Sequence, residues 1–222
     1  ASVRFRNILV MKSENALSPL VITCLAATWL VWGSTYLAIK FALVSFPPFF
    51  GMGTRFIVAG VVLLFWMRFV RGAAWPTLKE WRNGLIIGAL MCAGGMGGTA
   101  YSEQSVSSGL VVAFIAVCPV MMELANLIWK IYPTKWEAVG IAIGLVGVLL
   151  LTQGAGFAAS PMGLAAIAIA CVCWTAGSVL SQRVPALALA PGATGFASEM
   201  ILGGGVLMGM AAVNVSASTS EP

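Results

Sequence analysis

Four ionisable side chains stand inside long apolar stretches of this sequence: Lys40 and Arg55 in "WGSTYLAIKFALVSFPPFFGMGTRF" (32–56), Glu123 in "CPVMMELANLIW", and Glu199 in "GFASEMILGGG". Holding a charge in a hydrocarbon medium costs from about 2.5 kcal/mol to several times that, so such groups turn towards a cavity, a water path or one another. A guanidinium there could grip a carboxylate through a two-pronged hydrogen bond, and a carboxylate could take an ammonium group or a proton. Hydrolytic and metal-assisted chemistry find no such support. The sequence has no histidine, and no two carboxylates stand at a spacing that would let them share acid and base roles. All five cysteines (Cys24, Cys92, Cys118, Cys171, Cys173) fall in apolar segments, and Cys171 and Cys173 are one residue too close for a Cys-x-x-Cys pair. They read as small hydrophobes, and neither a disulfide, a metal nor a cofactor is expected.

What surrounds these residues limits what they can do. Of 222 residues, 60% are hydrophobic and 9% charged, against roughly 25% charged in ordinary soluble domains, and mean hydropathy is +0.98. This is the composition of a membrane protein, and at about 20 apolar residues per span the length holds roughly seven transmembrane helices. Breaks rich in Pro, Gly or charge ("RFVRGAAWPTLKEWR", "KIYPTK", "QGAGFAASP") place the spans near 20–43, 47–67, 84–101, 106–129, 136–152, 161–182 and 193–213. The expected fold class is an all-α polytopic helical bundle. The uncharged run from Leu20 to Ile39 is longer than the apolar region of a secretory signal peptide, so it reads as a retained first span behind a cytoplasmic segment, 1–19.

A net charge of +5 would suit nucleic acid only if it were gathered on one exposed face. Instead Arg4, Arg6 and Lys12 precede the first span; Arg68, Arg71, Lys79 and Arg82 follow the second; Lys130 and Lys135 follow the fourth; and Arg183 follows the sixth. The loops near 44–46, 102–105 and 153–160 carry no Lys or Arg, so the positive-inside rule puts the N-terminus in the cytoplasm and gives no nucleic-acid partner. Glu103, in one of those outer loops, reads as a solvated side chain. Gly84/Gly88, Gly94/Gly98, Gly140/Gly144 and Gly205/Gly209 have the small-xxx-small spacing that lets helices approach closely in lipid. "AGGMGG" (93–98) is denser than such packing needs, which admits a locally flexible or closely approached helix.

Residues 32–64 and 174–208 share a Trp with nearby Gly and Ser, a basic residue about two turns on, a Pro turn, and then an ionisable residue in a Gly-punctuated apolar span. This pairs Pro47 with Pro191 and Arg55 with Glu199. The odd number of intervening spans makes the copies run oppositely through the membrane, the arrangement of an inverted-repeat carrier. Arg55 lies about 12 Å into its span, close to the middle of a ~30 Å core, where it fits either a substrate carboxylate or an ion pair between helices. Lys40 is nearer the outer end and can snorkel. Glu123 follows Pro119, whose missing N–H frees a carbonyl that could line a polar cavity; Glu123 could equally reach the inner interface near Lys130. Trp32, Tyr36 and Trp174 fit cavity-lining aromatics, and also interfacial or core packing.

"WLVWGSTYLAIKFALVSFPPFFGMGTRFIVAGVVLL", "SSGLVVAFIAVCPV", "KWEAVGIAIGLVGVLLL" and "WTAGSVLSQRV" resemble, in order, the successive helices of the EamA group of the drug/metabolite transporter superfamily. The resemblance covers about residues 17–213. It implies a bacterial inner-membrane carrier with ten helices in two inverted five-helix halves, moving small metabolites, often by exporting amino acids or related compounds. On that pattern residues 20–152 form the first repeat, 161–213 the first two helices of a second, and 214–222 a tail. The expected partners are a small-molecule substrate and the lipid bilayer, with proton coupling and a homo-oligomer left open. Ending after a seventh helix departs from the family pattern and sets a rival expectation: a truncated membrane fragment or assembly subunit that does not transport alone. The topology has a direct check. With the native thiols removed, single cysteines at Ser45 and Ala158 should react with an impermeant reagent added outside, whereas one at Ala74 should not; strong external labelling at Ala74 would reverse the orientation.

Overall fold

A computed structural model of the chain describes residues 18–153 and 160–219, and among these every expected span is helical and no strand occurs. Helix α1 is Pro19–Ala42; α2 is Pro48–Phe65, continued by a π-helical turn, Trp66–Val70. Next comes one long rod made of α3 (Leu78–Gly88), a π-helical stretch Ala89–Gly97, and α4 (Gly98–Ser102). Then follow α5 (Ser108–Ile115), α6 (Cys118–Asn126), α7 (Lys135–Gln153), α8 (Pro161–Arg183) and α9 (Ala193–Thr219). Among the described residues six helical stretches are long and apolar enough to cross a membrane: Pro19–Ala42, Pro48–Val70, Leu78–Ser102, Ser108–Trp129, Pro161–Arg183 and Ala193–Asn214. The fifth expected span is α7, a helix of 19 residues. Of the described residues, those up to Ala38 form a unit of their own and those from Ile39 onward a second.

The third span begins at Leu78, six residues before the point where hydropathy turns apolar. The reason is a capping box. Thr77 accepts from the Glu80 N–H at 3.3 Å while the Glu80 carboxylate accepts from the Thr77 N–H at 2.7 Å, satisfying donors that a new helix leaves bare. Thr134 and Glu137 start α7 in the same way. The fourth span, by contrast, is not one helix. It breaks at residues 116–117 because Pro119, in the first turn of α6, has no N–H to give the carbonyl one turn back.

In the second unit α9 packs against α2 running antiparallel and against α3 and its π continuation running parallel. The joint is backbone on backbone. A methyl group added at Gly53 would stand 3.0 Å from the Gly204 carbonyl, and one at Gly60 would stand 2.9 Å from the Ala197 carbonyl. One at Gly88 would collide with the Glu199 carbonyl and Gly203. The four glycines of the dense run are approached from two sides: Gly94, Gly95 and Gly98 by Cys173, Trp174 and Ala170 of α8, and Gly97 by Leu207 of α9. Gly84/Gly88 and Gly94/Gly98 are thus contact positions. Gly205/Gly209 and Gly140/Gly144 are not, since nothing lies within 4 Å of a side chain placed there. On α9 the contact glycines are Gly203 and Gly204, because the helical phase that faces α2 and α3 passes through them.

Polar ties close both ends of this unit. At one end buried Asn83 donates to the carbonyls of Ala186 (3.0 Å) and Ala188 (2.8 Å), and the Arg183 Nε donates to Asn126 at 3.1 Å. At the other, the Ser160 hydroxyl caps α8 at the Gly163 N–H (3.0 Å) and lies 2.7 Å from the Ser105 hydroxyl. Substitutions on α9 test the joint. Gly203→Leu should lower stability in detergent by about 1–3 kcal/mol or more, as overpacked cores do, while Gly209→Leu should stay within about 0.5 kcal/mol of the parent. Equal effects at both positions would refute the packing.

Candidate functional site

Glu199 lies in the second turn of α9 and is 4% exposed. Its neighbours follow from the glycine joint. With no side chains at Gly88 and Gly203, α9 and the π stretch come close enough for the Glu199 carboxyl to meet the Cys92 thiol, which donates to Oε1 at 3.8 Å. No ion pair reaches it among the described residues. An apolar site of this kind holds a carboxylate only at considerable cost unless a cation or a proton joins it. On the other side of the same π stretch, Trp174 of α8 is half-buried with its ring over Gly95. Cys92 and Gly95 stand on one turn, so Glu199 and Trp174 flank the same short segment.

Arg55 is elsewhere. It is exposed on α2, its guanidinium 5.9 Å from the centre of the Phe56 ring. The antiparallel pairing places Gly60 against Ala197 and Ile201 and Gly53 against Gly204 and Met208. Glu199 is therefore level with Gly60, and Arg55 stands about five residues, or ~7.5 Å, further along the axis. Equivalent positions in a sequence repeat need not lie at equal depth, since the repeat fixes the order of residues but not the slide of one helix against another. Lys40 is exposed in the last turn of α1. Glu123 is half-buried on α6 and Pro119 is exposed at its start. Trp32, exposed, and Tyr36, half-buried, lie on α1 in the first unit.

Three features escaped the sequence. Glu103 is no solvated loop residue: it is 7% exposed, and neither carboxylate oxygen has a hydrogen-bond partner among the described residues. Burial pushes its carboxyl up to about 7, against a smaller opposing pull from the Lys40 charge. A signal for this existed, since Glu103 falls three residues after Ala100 and continues its helical face, and Ala100 is fully buried. The second feature is a polar patch where α8 meets the broken fourth span. There the Cys171 thiol donates to the Phe114 carbonyl at 3.6 Å, and the buried Thr175 hydroxyl lies beside the Cys118 thiol. The third is Asn83, which anchors the 184–192 connection.

A bundle of membrane-length helices held by glycine contacts, with a buried carboxyl on one of them, defines a polytopic helical membrane protein. The chain belongs to the EamA-like transporter family, which matches residues 19–153. It is 36% identical over 185 residues to a protein of Escherichia coli strain K12 named as an uncharacterized inner membrane transporter, YedA, covering 83% of this chain and 59% of that one. It is 27% identical over 124 residues to a Bacillus subtilis protein named as an uncharacterized transporter, YoaV, covering 55% of this chain and 42% of that one. The chain thus spans about three-fifths or less of the length of these relatives. No solved structure matches it.

Whether the Glu199 carboxyl holds the fold together can be tested by removing it. A buried polar group that carries structure costs about 1–3 kcal/mol when lost, whereas one kept for function is replaced by an apolar group of similar shape at little cost or with a gain. Glu199→Met should leave the unfolding temperature in detergent unchanged or higher. A marked fall would assign the carboxyl to the scaffold.

Proposed function

We propose that this chain forms part of a secondary carrier of small metabolites in a bacterial inner membrane, with the Glu199 carboxyl as the group that accepts a substrate ammonium or, when the site is empty, a proton. The observation that carries this reading is a carboxyl 4% exposed in the second turn of a membrane-length helix, with a thiol as its hydrogen-bond partner. A structural carboxylate would be paired with Arg or Lys, and a carboxylate kept for transport must be free to exchange its partner. Family membership and the names of the relatives support transport over catalysis. Trp174 beside the same π stretch offers an aromatic face to a ligand. Arg55, ~7.5 Å further along the axis, would take a carboxylate, so amino acids and related zwitterions are the substrate class favoured. Lys40, Glu123, Pro119, Trp32 and Tyr36 are further candidates for substrate contact on the sequence pattern. Basic residues confined to alternate loops, and so to one side, support a cytoplasmic N-terminus.

A second reading, assembly with further helices or with another copy, draws on the bare glycines of α7 and α9: Gly140, Gly144, Gly147, Gly205 and Gly209 have nothing within 4 Å. Small-residue faces in lipid are where other helices seat. Proteoliposomes loaded with an amino-acid panel separate the readings when both this chain and a version completed to the length of YedA are compared. Transport is expected in the completed protein. Glu199→Gln should abolish proton-driven flux there and weaken binding of ammonium-bearing substrates, and Arg55→Gln should raise KM for carboxylate-bearing substrates about tenfold or more, the loss of one charged hydrogen bond. Wild-type flux in Glu199→Gln would end this assignment.

A further inference from the structure

Glu103 terminates α4 at the end of the bundle opposite the basic loops. Its surroundings are closed. Ala100, one turn earlier on the same face, belongs to a buried cluster with Ile39, Met52, Phe56, Cys92, Ala93 and Leu207. Tyr101 stacks on Phe49 of α2 with ring centres 6.0 Å apart. The loop after Glu103 is tied to the start of α8 by Ser105 and Ser160. Within this packing both Glu103 oxygens are buried and accept no hydrogen bond from the described residues.

A carboxyl so placed is stable in only two ways: as the neutral acid, or as an anion that has drawn in a donor. The available donor is close. Ile39 is buried in the cluster that Glu103 continues, and the next residue, Lys40, is exposed with its ammonium on a flexible four-carbon stem. Its charge already acts on Glu103. Other candidates are lacking among the described residues. The first turns of α2 (48–53) and of α8 (161–166), the last described turns of α9 (207–214), and residues 104–110 carry no ionisable side chain, which leaves the Tyr101 phenol on the same rod.

We propose that Lys40 and Glu103 form a latch across this end of the protein, closed when the ionised carboxylate accepts the Lys40 ammonium and open when the carboxyl is protonated. The arrangement described is the open one. Protonation keeps Glu103 buried and leaves Lys40 in the aqueous interface; deprotonation pulls the last turn of α1 onto the end of α4. The latch concerns two residues remote from Glu199 and holds whether or not Glu199 carries substrate.

The sign of the pH effect follows. The folded Glu103 titrates near 7, above the roughly 4.3 of an unfolded glutamate. Its contribution to stability is then fully present below the unfolded value and declines as pH rises towards the folded one. Lys40 limits that decline by pairing with the anion. Thermal unfolding of the 222-residue chain, with Lys40→Met, Glu103→Gln and the double variant, at about pH 5.5 and about pH 8.5, brackets the titration. We expect the two substitutions to be coupled at the higher pH and additive at the lower. Infrared difference spectra between the two conditions should show a carboxyl signal that Glu103→Gln removes and whose midpoint Lys40→Met moves upward. Because Lys40 is exposed, Lys40→Met keeps the fold and supplies this second readout even if Glu103→Gln does not. Additivity at both pH values, the same coupling at both, or a midpoint indifferent to Lys40 would each overturn the latch.

Discussion

Hydrocarbon gives two apolar helices no reason to associate, since lipid tails are as apolar as leucine. What remains is contact between backbones, and in this protein it depends on glycine. The carbonyl of Gly204 reaches Gly53 and that of Glu199 reaches Gly88 because neither position carries a Cβ. Every other placement in the central unit follows from that approach. Leu207 can enter the core only over Gly97, Trp174 can lie on the rod only over Gly95, and Glu199 can meet Cys92 only because Gly88 and Gly203 leave room between them. The site is a by-product of the packing, and a larger residue at any of these positions would separate the groups that meet there.

The polar residues then sort themselves by what the packing leaves them. Asn83 and Arg183 find partners in the connecting segments and act as ties. Glu199 and Glu103 find no basic hydrogen-bond partner among the described residues, and both are buried. Two buried carboxyls without a permanent counter-charge do little for a scaffold, and this thermodynamic disadvantage is what supports the roles proposed for them.

Much of the architecture was legible in the sequence, for reasons that also set its limits. Apolar runs long enough to span a bilayer have no alternative to helix, because a backbone in lipid must satisfy its own hydrogen bonds. Hydropathy therefore located the spans, but it placed the start of the third one six residues late because the Thr77–Glu80 box is polar. Glycine spacing identified Gly84/Gly88 and Gly94/Gly98. It failed on α9, where Gly205/Gly209 has the four-residue spacing but the contacts fall on the adjacent Gly203 and Gly204, a choice made by the neighbouring helices. Glu199 stood out as an ionisable residue in an apolar run. Cys92, read as a hydrophobe, is its hydrogen-bond donor, a pairing across 107 positions that no local pattern encodes. Glu103 was masked by its place in a short loop, since loop residues are ordinarily solvated.

The adjacent glycines of α9 have one more consequence. Gly203 faces the rod at Gly88 and Cys92, while Gly204 faces α2 at Gly53 and Ile57. Neighbouring residues on a helix point about 100° apart at 3.6 residues per turn, so α9 is wedged in a corner and gripped from two directions. Sliding or rotating it by one residue would drive Leu202 into the rod or lift Gly203 away from it. Motions of this protein that leave the corner intact must carry α2, α3 and α9 together as one solid piece, with the bending confined to joints outside it, such as the break before Pro119.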